Sequence, residues 1–443
     1  MTVVGFRFHP PEVPASPGLR WVLTRAYAAP DTVFAEIEGD AAAELALRFG
    51  LAPRIAARQS ADRLVGELGA AAAAKIKRQR ALATAQEMRL FETLTEVDGA
   101  AADLRVPYAP LKGQALVLGG FAPEGGRPSA DLDLLVPEGK LDALQKELIR
   151  RGLEVAGEAY EHQAPALRHS SGGVVELHRI VPGLRLEAKK SATFEALAGA
   201  ELLGPPAAAM RFRPRGDLRM PRREVLAAHA LAHGIAQHGL APAAFPGFLF
   251  LADLVDLAFR GSGGRAALAT VAPWIARDVS FEEAEAALDL ATALAAADAT
   301  LFDPPRSRAR LLLDHFHAGL TDPRYATSLK TRLLEHPLSD RPQPLAKAEL
   351  LAKTLVPARQ KGIGTSAKGE SWLAYLGRLA GRPLELVGRW RRARAAQAAQ
   401  RSDPPRSSPP TRGRNGRPGE RLQEYPAVSS RRLRSVDRTG QTP

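Results

Sequence analysis

Residues 127–137, with the sequence RPSADLDLLVP, decide how the rest of this 443-residue chain is interpreted. The apolar half of the segment predicts a buried β-strand, and two acids, Asp131 and Asp133, interrupt its start. Residues two apart on a strand project from the same face, so both carboxylates are expected to converge on one cation or on an adjacent pair. Negative charges on an otherwise apolar strand must be neutralised. A bound Mg²⁺ ion, which takes oxygen ligands such as carboxylates, can do this. Taken alone, an Asp-x-Asp pattern also occurs at exposed strand ends and turns.

The sequence that follows predicts a helix packed against this strand. Pro137 stands where proline is favoured, at the first position of a helix, and Gly152 suits the left-handed residue that ends one. Between them, Leu141, Leu144 and Leu148 recur at helical spacing and form an apolar stripe. The two acids are therefore expected at the start of a strand that leads into a packed helix.

A β-hairpin is predicted next, because residues 166–169 and 174–180 flank the turn sequence SSGG. In its second strand, Glu176 and His178 share one face, while the apolar residues take the other. Glu176 is therefore expected as a third acid on a neighbouring strand, which completes a candidate two-metal site. His178 has two interpretations, as a nucleotide contact or as a hydrogen-bonded histidine of the sheet.

Upstream, residues 111–116 have the sequence LKGQAL, which places Gly113 at the mouth of a predicted helix. Without a side chain, this glycine lets backbone N–H groups approach a phosphate, and the amino terminus of a helix favours the negative charge. Lys112 and Arg127 are candidates to neutralise phosphate oxygens. Taken singly, each of these residues also has an interpretation without a functional role. For Arg127 this is a position in a surface turn.

Composition excludes several classes of site. The chain has no cysteine, which rules out disulfides, thiolate metal sites and cysteine nucleophiles. Residues 1–14 contain prolines and charges where a secretory signal needs an apolar core, and no stretch reaches the roughly 18 apolar residues of a membrane span. A cytoplasmic protein without membrane contact is therefore expected.

Charge is unevenly distributed along the chain, whose formal net charge is +13. From Arg389 to the end there are fourteen arginines and only four acids, so most of the excess belongs to the carboxyl-terminal part. This part is rich in Arg, Pro, Ser and Gly and lacks aliphatic periodicity, which predicts a basic disordered tail at 387–443. Such a tail is expected to bind polyanions weakly and in a salt-sensitive way.

Taken together, the motifs resemble the bacterial family of uncharacterised nucleotidyltransferases within the polymerase-β-like superfamily. The motifs that carry the resemblance are LKG at 111–113, GRP at 126–128, DLDLLV at 131–136 and VELH at 175–178. Their joint order is far more specific than any one of them. An HxxxH pattern at 229–233 and the sequence FLADLVDL at 250–257 extend the resemblance into a helical second half.

The resemblance implies an α+β fold with a small mixed β-sheet flanked by helices. It also implies Mg²⁺, or Mn²⁺, held by the paired acids, and an NTP as co-substrate. Asp131, Asp133 and Glu176 would be the catalytic residues and metal ligands, and Glu176 would orient or deprotonate an attacking hydroxyl. The nucleotide would be contacted by Lys112, Gly113, Arg127 and His178. One departure from the superfamily is that Gln114 follows the glycine, where Gly or Ser is usual.

The predicted organisation follows the changes in pattern along the chain. Residues 1–30 are an N-terminal segment, and residues 31–200 are a nucleotidyltransferase-like domain that begins with two or three helices. Residues 205–386 are predicted to form an all-helical domain, because helical patterns there are separated by Pro and Gly. The basic disordered tail at 387–443 completes the chain.

The predicted activity is transfer of an NMP group from an NTP to a hydroxyl acceptor that the sequence does not identify. Two alternatives stay open. One is a binding or regulatory protein that keeps the fold without turnover, and the other is a toxin that uses the same site on tRNA or protein. The departure at Gln114 and the concentrated charge of the tail favour the first alternative.

Two further patterns are expected to be structural, or to face a substrate, rather than to hold metal. His229 and His233 lie one helical turn apart, but Ala230 stands where a zinc hydrolase needs a glutamate, which argues against a zinc site. Packing or a substrate-side position is favoured for both histidines. Asp253 and Asp256 are predicted to form a pair at a helix surface or a contact between domains.

Overall fold

A computed structural model of the chain describes most of residues 16–321. The described ranges are 16–28, 37–157, 159–160, 162–187, 190–207, 210, 212–237, 247–259, 281–303 and 307–321, together with positions 12, 34 and 274. The basic tail predicted at 387–443 and the part of the predicted helical domain beyond 321 lie outside these residues.

Helices make up most of the described chain. They are Pro17–Tyr27 (α1), Gly39–Arg48 (α2), Ala52–Arg58 (α3), Ala61–Leu68 (α4), Ala70–Leu104 (α5), Lys112–Leu118 (α6), Glu138–Arg150 (α7), Phe194–Gly199 (α8), Arg223–Leu231 (α9), Gly247–Phe259 (α10), Phe281–Ala295 (α11) and Arg308–Thr321 (α12). A π-helical segment, Ala232–Gln237, follows α9 directly, and a short 3₁₀ helix, Ala299–Phe302, lies between α11 and α12. None of the described helices is both long and apolar enough to cross a membrane.

The main β-sheet has five short strands. They are Ala109–Pro110 (β1), Leu132–Leu135 (β2), Glu154–Val155 (β3), Leu167–Arg168 (β4) and Val174–His178 (β5). Their order across the sheet is β1-β2-β5-β4-β3; the β2–β5 pair is parallel and the other pairs are antiparallel. Two small antiparallel sheets follow, formed by Ile180–Glu187 (β6) with Lys190–Thr193 (β7) and by Leu203–Gly204 (β8) with Met220–Pro221 (β9). The small mixed sheet among helices confirms the α+β prediction.

One face of the main sheet packs against two helices. Leu132 and Leu134 of β2 share a buried apolar cluster with Leu90, Leu94 and Val97 of α5. The leucine stripe of α7 and the apolar residues of β5 belong to the same cluster. Because side chains alternate along a strand, the opposite face of β2 and β5 is the one that carries their polar residues.

The helix predictions are accurate next to the sheet and less accurate before it. Four helices, α2 to α5, occupy residues 39–104, where two or three were predicted. The additional breaks arise because the Ser60 side chain caps α4, and because Gly69, with a φ of 81°, separates α4 from α5. Helix α7 begins at Glu138, with Pro137 as its N-cap, and Gly152 follows its end with a φ of 98°.

A second, larger cluster of buried apolar residues joins the helices to one another. It includes Trp21 of α1, Ala115 of α6, Leu226 of α9 and Leu312 of α12. Helix α6, which lies next to the sheet, therefore shares a core with helices on both sides of residue 205. The domain boundaries expected from the sequence stay a prediction.

The contact between the β4–β5 hairpin and α5 provides a test of the fold. A Cβ at Gly173 would lie 2.1 Å from Oγ1 of Thr93 and 2.9 Å from the backbone oxygen of Arg89. We expect Gly173→Ala to lower the free energy of unfolding by about 1–3 kcal/mol, because α5 must move away from the hairpin. Gly139→Ala is the matched control, since nothing lies within 4 Å of a Cβ there. Urea unfolding measures both variants, and equal stability of the two would contradict this packing.

Candidate active site

Asp133 and Glu176 are neighbours on adjacent parallel strands. The register of β2 and β5 pairs Asp133 with Glu176 and Leu135 with His178. Side chains alternate along a strand, so the two acids lie on the sheet face opposite the leucines that pack against α5. The structure therefore brings together one acid from each of the two acidic motifs.

His178 joins these two acids in a compact group. Its Nε2 atom lies 2.8 Å from Oδ1 of Asp133 and 3.6 Å from Oε2 of Glu176. Ligand atoms of the three side chains all lie within 4.8 Å of one another, which is a spacing that can hold a metal ion. The candidate metal group in the structure thus contains a histidine that the sequence interpretation assigned to nucleotide contact.

Asp131 lies outside this group, one residue before the start of β2. Side chains alternate between the two faces only within a strand, and Asp131 stands before β2. The backbone therefore does not place Asp131 on the same face as Asp133, as the sequence had predicted. The carboxyl group is still under the influence of the other acids. Burial and the negative charge of Asp133 raise the pKa of Asp131 to about 7, and Glu176 contributes to the rise. Three acids therefore share one small region.

Lys112 reaches Asp133 because of the way β1 continues into α6. The N–H of Leu111 donates to the backbone oxygen of Asp133 at 2.9 Å, which places the following residue beside the acid. The Nζ atom of Lys112 then donates to Oδ1 of Asp133 at 2.7 Å. Lys112 has a φ of 48°, a left-handed conformation that is uncommon outside glycine and is found preferentially at functional sites.

Asp133 stays ionised although its side chain is only 2% exposed. Burial alone would raise its pKa, but the charge of Lys112 and the hydrogen bond from His178 outweigh burial and hold the pKa of Asp133 well below its usual range. Burial alone would lower the pKa of His178, but its hydrogen bond to Asp133 and the nearby carboxylate of Glu176 raise that pKa. The ammonium group of Lys112 and the ring of His178 therefore both compensate for the burial of one carboxylate.

The space beside Gly113 is filled by two side chains. A Cβ at Gly113 would lie 2.8 Å from Oγ of Ser129 and 2.9 Å from Nη1 of Arg127. Arg127 is 8% exposed, so it does not occupy the surface turn that its sequence context suggested. Its Nε and Nη2 atoms donate to the two carboxylate oxygens of Asp253 at 3.1 and 2.8 Å. Glycine is therefore needed at 113 for the approach of the Arg127 guanidinium.

Helix α10 supplies two buried acids whose partners the sequence interpretation missed. Asp253 and Asp256 are 4% and 2% exposed, so they are not a pair at the helix surface. Asp256 accepts hydrogen bonds from Nη1 and Nη2 of Arg54 at 2.5 and 2.8 Å, much as Asp253 does from Arg127. The apolar pattern of residues 250–257 could have revealed these partners. A helix that is apolar on all sides is buried, and its acids then need buried cations.

A small cavity lies between α6, α9 and α10. Its lining includes Lys112, Arg127, His229 and Asp253, and it is wide enough for one water molecule. His229 is 2% exposed, and neither of its ring nitrogens has a hydrogen-bond partner among the residues that the structure describes. Burial, assisted by Lys112, lowers the pKa of His229 to about 3, so the ring is neutral at physiological pH. The ring of His233 packs edge-on against the ring of His229, with ring centroids 5.8 Å apart.

The family whose model matches this chain is described as uncharacterised nucleotidyltransferase, and the match covers residues 35–272. The chain belongs to this family. The resemblance inferred from the motifs is therefore confirmed. Among solved structures, the chain is similar to the solution structure of the antibiotic-resistance factor ANT(2'')-Ia, with 16% identity, coverage of 40% of this chain and 88% of that chain, and a TM-score of 0.30. The comparison with curated proteins found no match.

The two buried ion pairs of α10 provide a matched pair of variants. Asp253→Asn removes the charge opposite Arg127, and Asp256→Asn removes the charge opposite Arg54, so each is expected to lower the free energy of unfolding by about 3 kcal/mol. Arg127 lies beside the acids and Arg54 does not, so Asp253→Asn alone is expected to weaken Mg²⁺-dependent binding of ATP as well. Thermal unfolding and calorimetric titration measure the two effects. Equal ATP binding by the two variants would show that the Arg127 pair serves the fold only.

Proposed function

We propose that this protein is a metal-dependent nucleotidyltransferase that transfers NMP from an NTP to a hydroxyl-bearing acceptor. The observation that carries the proposal is the parallel register of β2 and β5, which sets Asp133 beside Glu176, with Asp131 just before β2. Membership of the family supports the class of reaction. We assign Asp131, Asp133 and Glu176 as the catalytic residues and metal ligands.

A divalent cation fits the donors of this site. Asp133 and Glu176 offer carboxylate oxygens, which Mg²⁺ and Mn²⁺ prefer, and His178 offers a ring nitrogen within the same group. Asp131, just before β2, adds a third carboxylate close enough to interact electrostatically with the other two. The carboxylates repel one another, as the raised pKa of Asp131 indicates, so added positive charge would stabilise them. When bound, the cation would neutralise charge on the phosphates and on the attacking oxygen.

The proposed phosphate contacts surround the acids. Lys112 is 21% exposed, and its ammonium group keeps further N–H donors beyond the bond to Asp133. Arg127 is buried against Gly113, so we assign it electrostatic support of the phosphates from a fixed position. His178 bonds to Asp133 at 2.8 Å from the neighbouring strand, and we assign it a contact to the nucleotide.

In the proposed reaction, the acceptor hydroxyl oxygen attacks the α-phosphorus of the NTP. The new oxygen–phosphorus bond forms as the bond from the α-phosphorus to the bridging oxygen breaks, and pyrophosphate leaves with that oxygen. We assign Glu176 as the residue that accepts the hydroxyl proton. Its side chain is 22% exposed, whereas Asp133 is buried and already paired with Lys112 and His178.

A second function is favoured by one specific observation. Asp133 already accepts a hydrogen bond from the ammonium group of Lys112 and bonds to the ring of His178, so charge balance at this acid does not require a metal ion. This arrangement suits a member of the family that binds a nucleotide or another partner without turnover. A toxin that modifies tRNA or protein would use the same three acids. It would differ from the proposed enzyme only in its acceptor.

Labelled NTPs with Mg²⁺ or Mn²⁺, and a cell extract as the source of acceptors, test the proposed activity. We expect Asp131→Asn and Glu176→Gln to reduce labelling by roughly 100-fold or more. Asp142→Asn, at an exposed position of α7, is the matched control and should keep full activity. Asp131→Asn should also keep or raise the melting temperature, because the amide removes repulsion from Asp133 and Glu176.

Wild-type levels of labelling in both variants would contradict the assignment of the acids. No labelling by the wild-type protein, combined with tight NTP binding, would favour the binding protein without turnover. Sensitivity of the labelled product to ribonuclease or to protease would distinguish an RNA acceptor from a protein acceptor.

A further inference from the structure

Three aromatic rings form a stack that leads from the buried acids to the protein surface. The rings of His178 and His162 have centroids 5.7 Å apart and planes 19° apart. The rings of His162 and Tyr160 have centroids 5.9 Å apart and planes 15° apart. Nearly parallel rings at these distances are offset stacks, which is a favoured arrangement of aromatic groups. The inner end of the stack is fixed, because His178 is bonded to Asp133 at 2.8 Å.

Backbone hydrogen bonds hold the outer two rings beside β5. The N–H of Arg179 donates to the backbone oxygen of His162 at 3.0 Å. Tyr160 and Gln163 exchange backbone hydrogen bonds of 3.1 and 3.3 Å across a tight turn, and Gln163 forms an antiparallel bridge with His178. The main chain therefore sets the backbone position of Tyr160 beside β5, and the contact with His162 sets its ring.

Tyr160 is the outer ring of the stack and lies at the surface. It is 57% exposed and belongs to neither of the two apolar clusters of the described residues. One face of the ring is stacked on His162, so the exposed surface includes the opposite face. The stack thus presents a flat aromatic face at its outer end, while its inner end is bonded to Asp133.

We propose that Tyr160 extends this stack to the nucleobase of the bound NTP. Every nucleobase has a flat π face, and stacking of a base on an aromatic side chain tolerates any of the four bases. The inference rests on the proposed function and adds to it a base-binding residue separate from the residues assigned to the phosphates. Because stacking involves only ring faces, the hydroxyl group of Tyr160 is not needed.

Calorimetric titration with two probes, in the presence of Mg²⁺, tests the inference. ATP carries a base and a triphosphate, whereas inorganic tripolyphosphate carries no base. We expect Tyr160→Ala to weaken ATP binding by roughly tenfold and to leave tripolyphosphate binding unchanged. Tyr160→Phe should bind ATP as the wild-type protein does. Val155→Ala, a truncation of an equally exposed residue on β3 at 58%, is the matched control and should change neither affinity.

Each result separates the inference from the proposed function. Equal binding of ATP by the wild-type protein and Tyr160→Ala would overturn the stacking inference and leave the proposed function standing. A parallel loss of ATP and tripolyphosphate binding in Tyr160→Ala would also overturn it, because the substitution would then act on the phosphate region. Failure of the wild-type protein to bind either probe would overturn the proposed function, and the inference with it.

Discussion

The buried carboxylate of Asp133 is the constraint on which the rest of the site depends. An ionised carboxylate at 2% exposure is unfavourable unless cations and hydrogen bonds compensate for its lost hydration. Lys112 and His178 both bond to its Oδ1 atom, and they come from the two strands that flank β2, since Lys112 follows β1 and His178 ends β5. One side chain therefore ties β2 to the start of α6, which follows β1, and to β5.

The same rule, that a buried acid needs a buried cation, connects the helices to the sheet. Asp253 of α10 pairs with Arg127, and Asp256, one turn further along, pairs with Arg54 of α3. Buried pairs of this kind give little net stability compared with well-packed apolar residues, so their value lies in geometry. The Arg127 pair fixes a guanidinium against Gly113, and the helical part of the chain thereby shapes the side of the site to which we assign the phosphates.

Three strands of the sheet, β2, β4 and β5, and two of its acids were predictable because local patterns determine them. The apolar pattern of residues 132–136 and the turn before β5 give the strands, and the resulting register sets Asp133 beside Glu176. Contacts between distant segments were not predictable, because no local periodicity encodes the pairing of Arg127 with Asp253. Asp131 lies just before its strand, where the period of two no longer applies. The roles assigned to these side chains therefore remain proposals that rest on their chemistry.

Binding of Mn²⁺, followed by electron paramagnetic resonance in the presence of a non-hydrolysable NTP analogue, tests the central claim most directly. We predict that the wild-type protein binds Mn²⁺ together with the analogue, and that Glu176→Gln weakens Mn²⁺ binding by at least roughly tenfold while circular dichroism shows an unchanged fold. Absence of Mn²⁺ binding by the wild-type protein, or an affinity that Glu176→Gln leaves unaltered, would contradict the assignment of this cluster as the metal site.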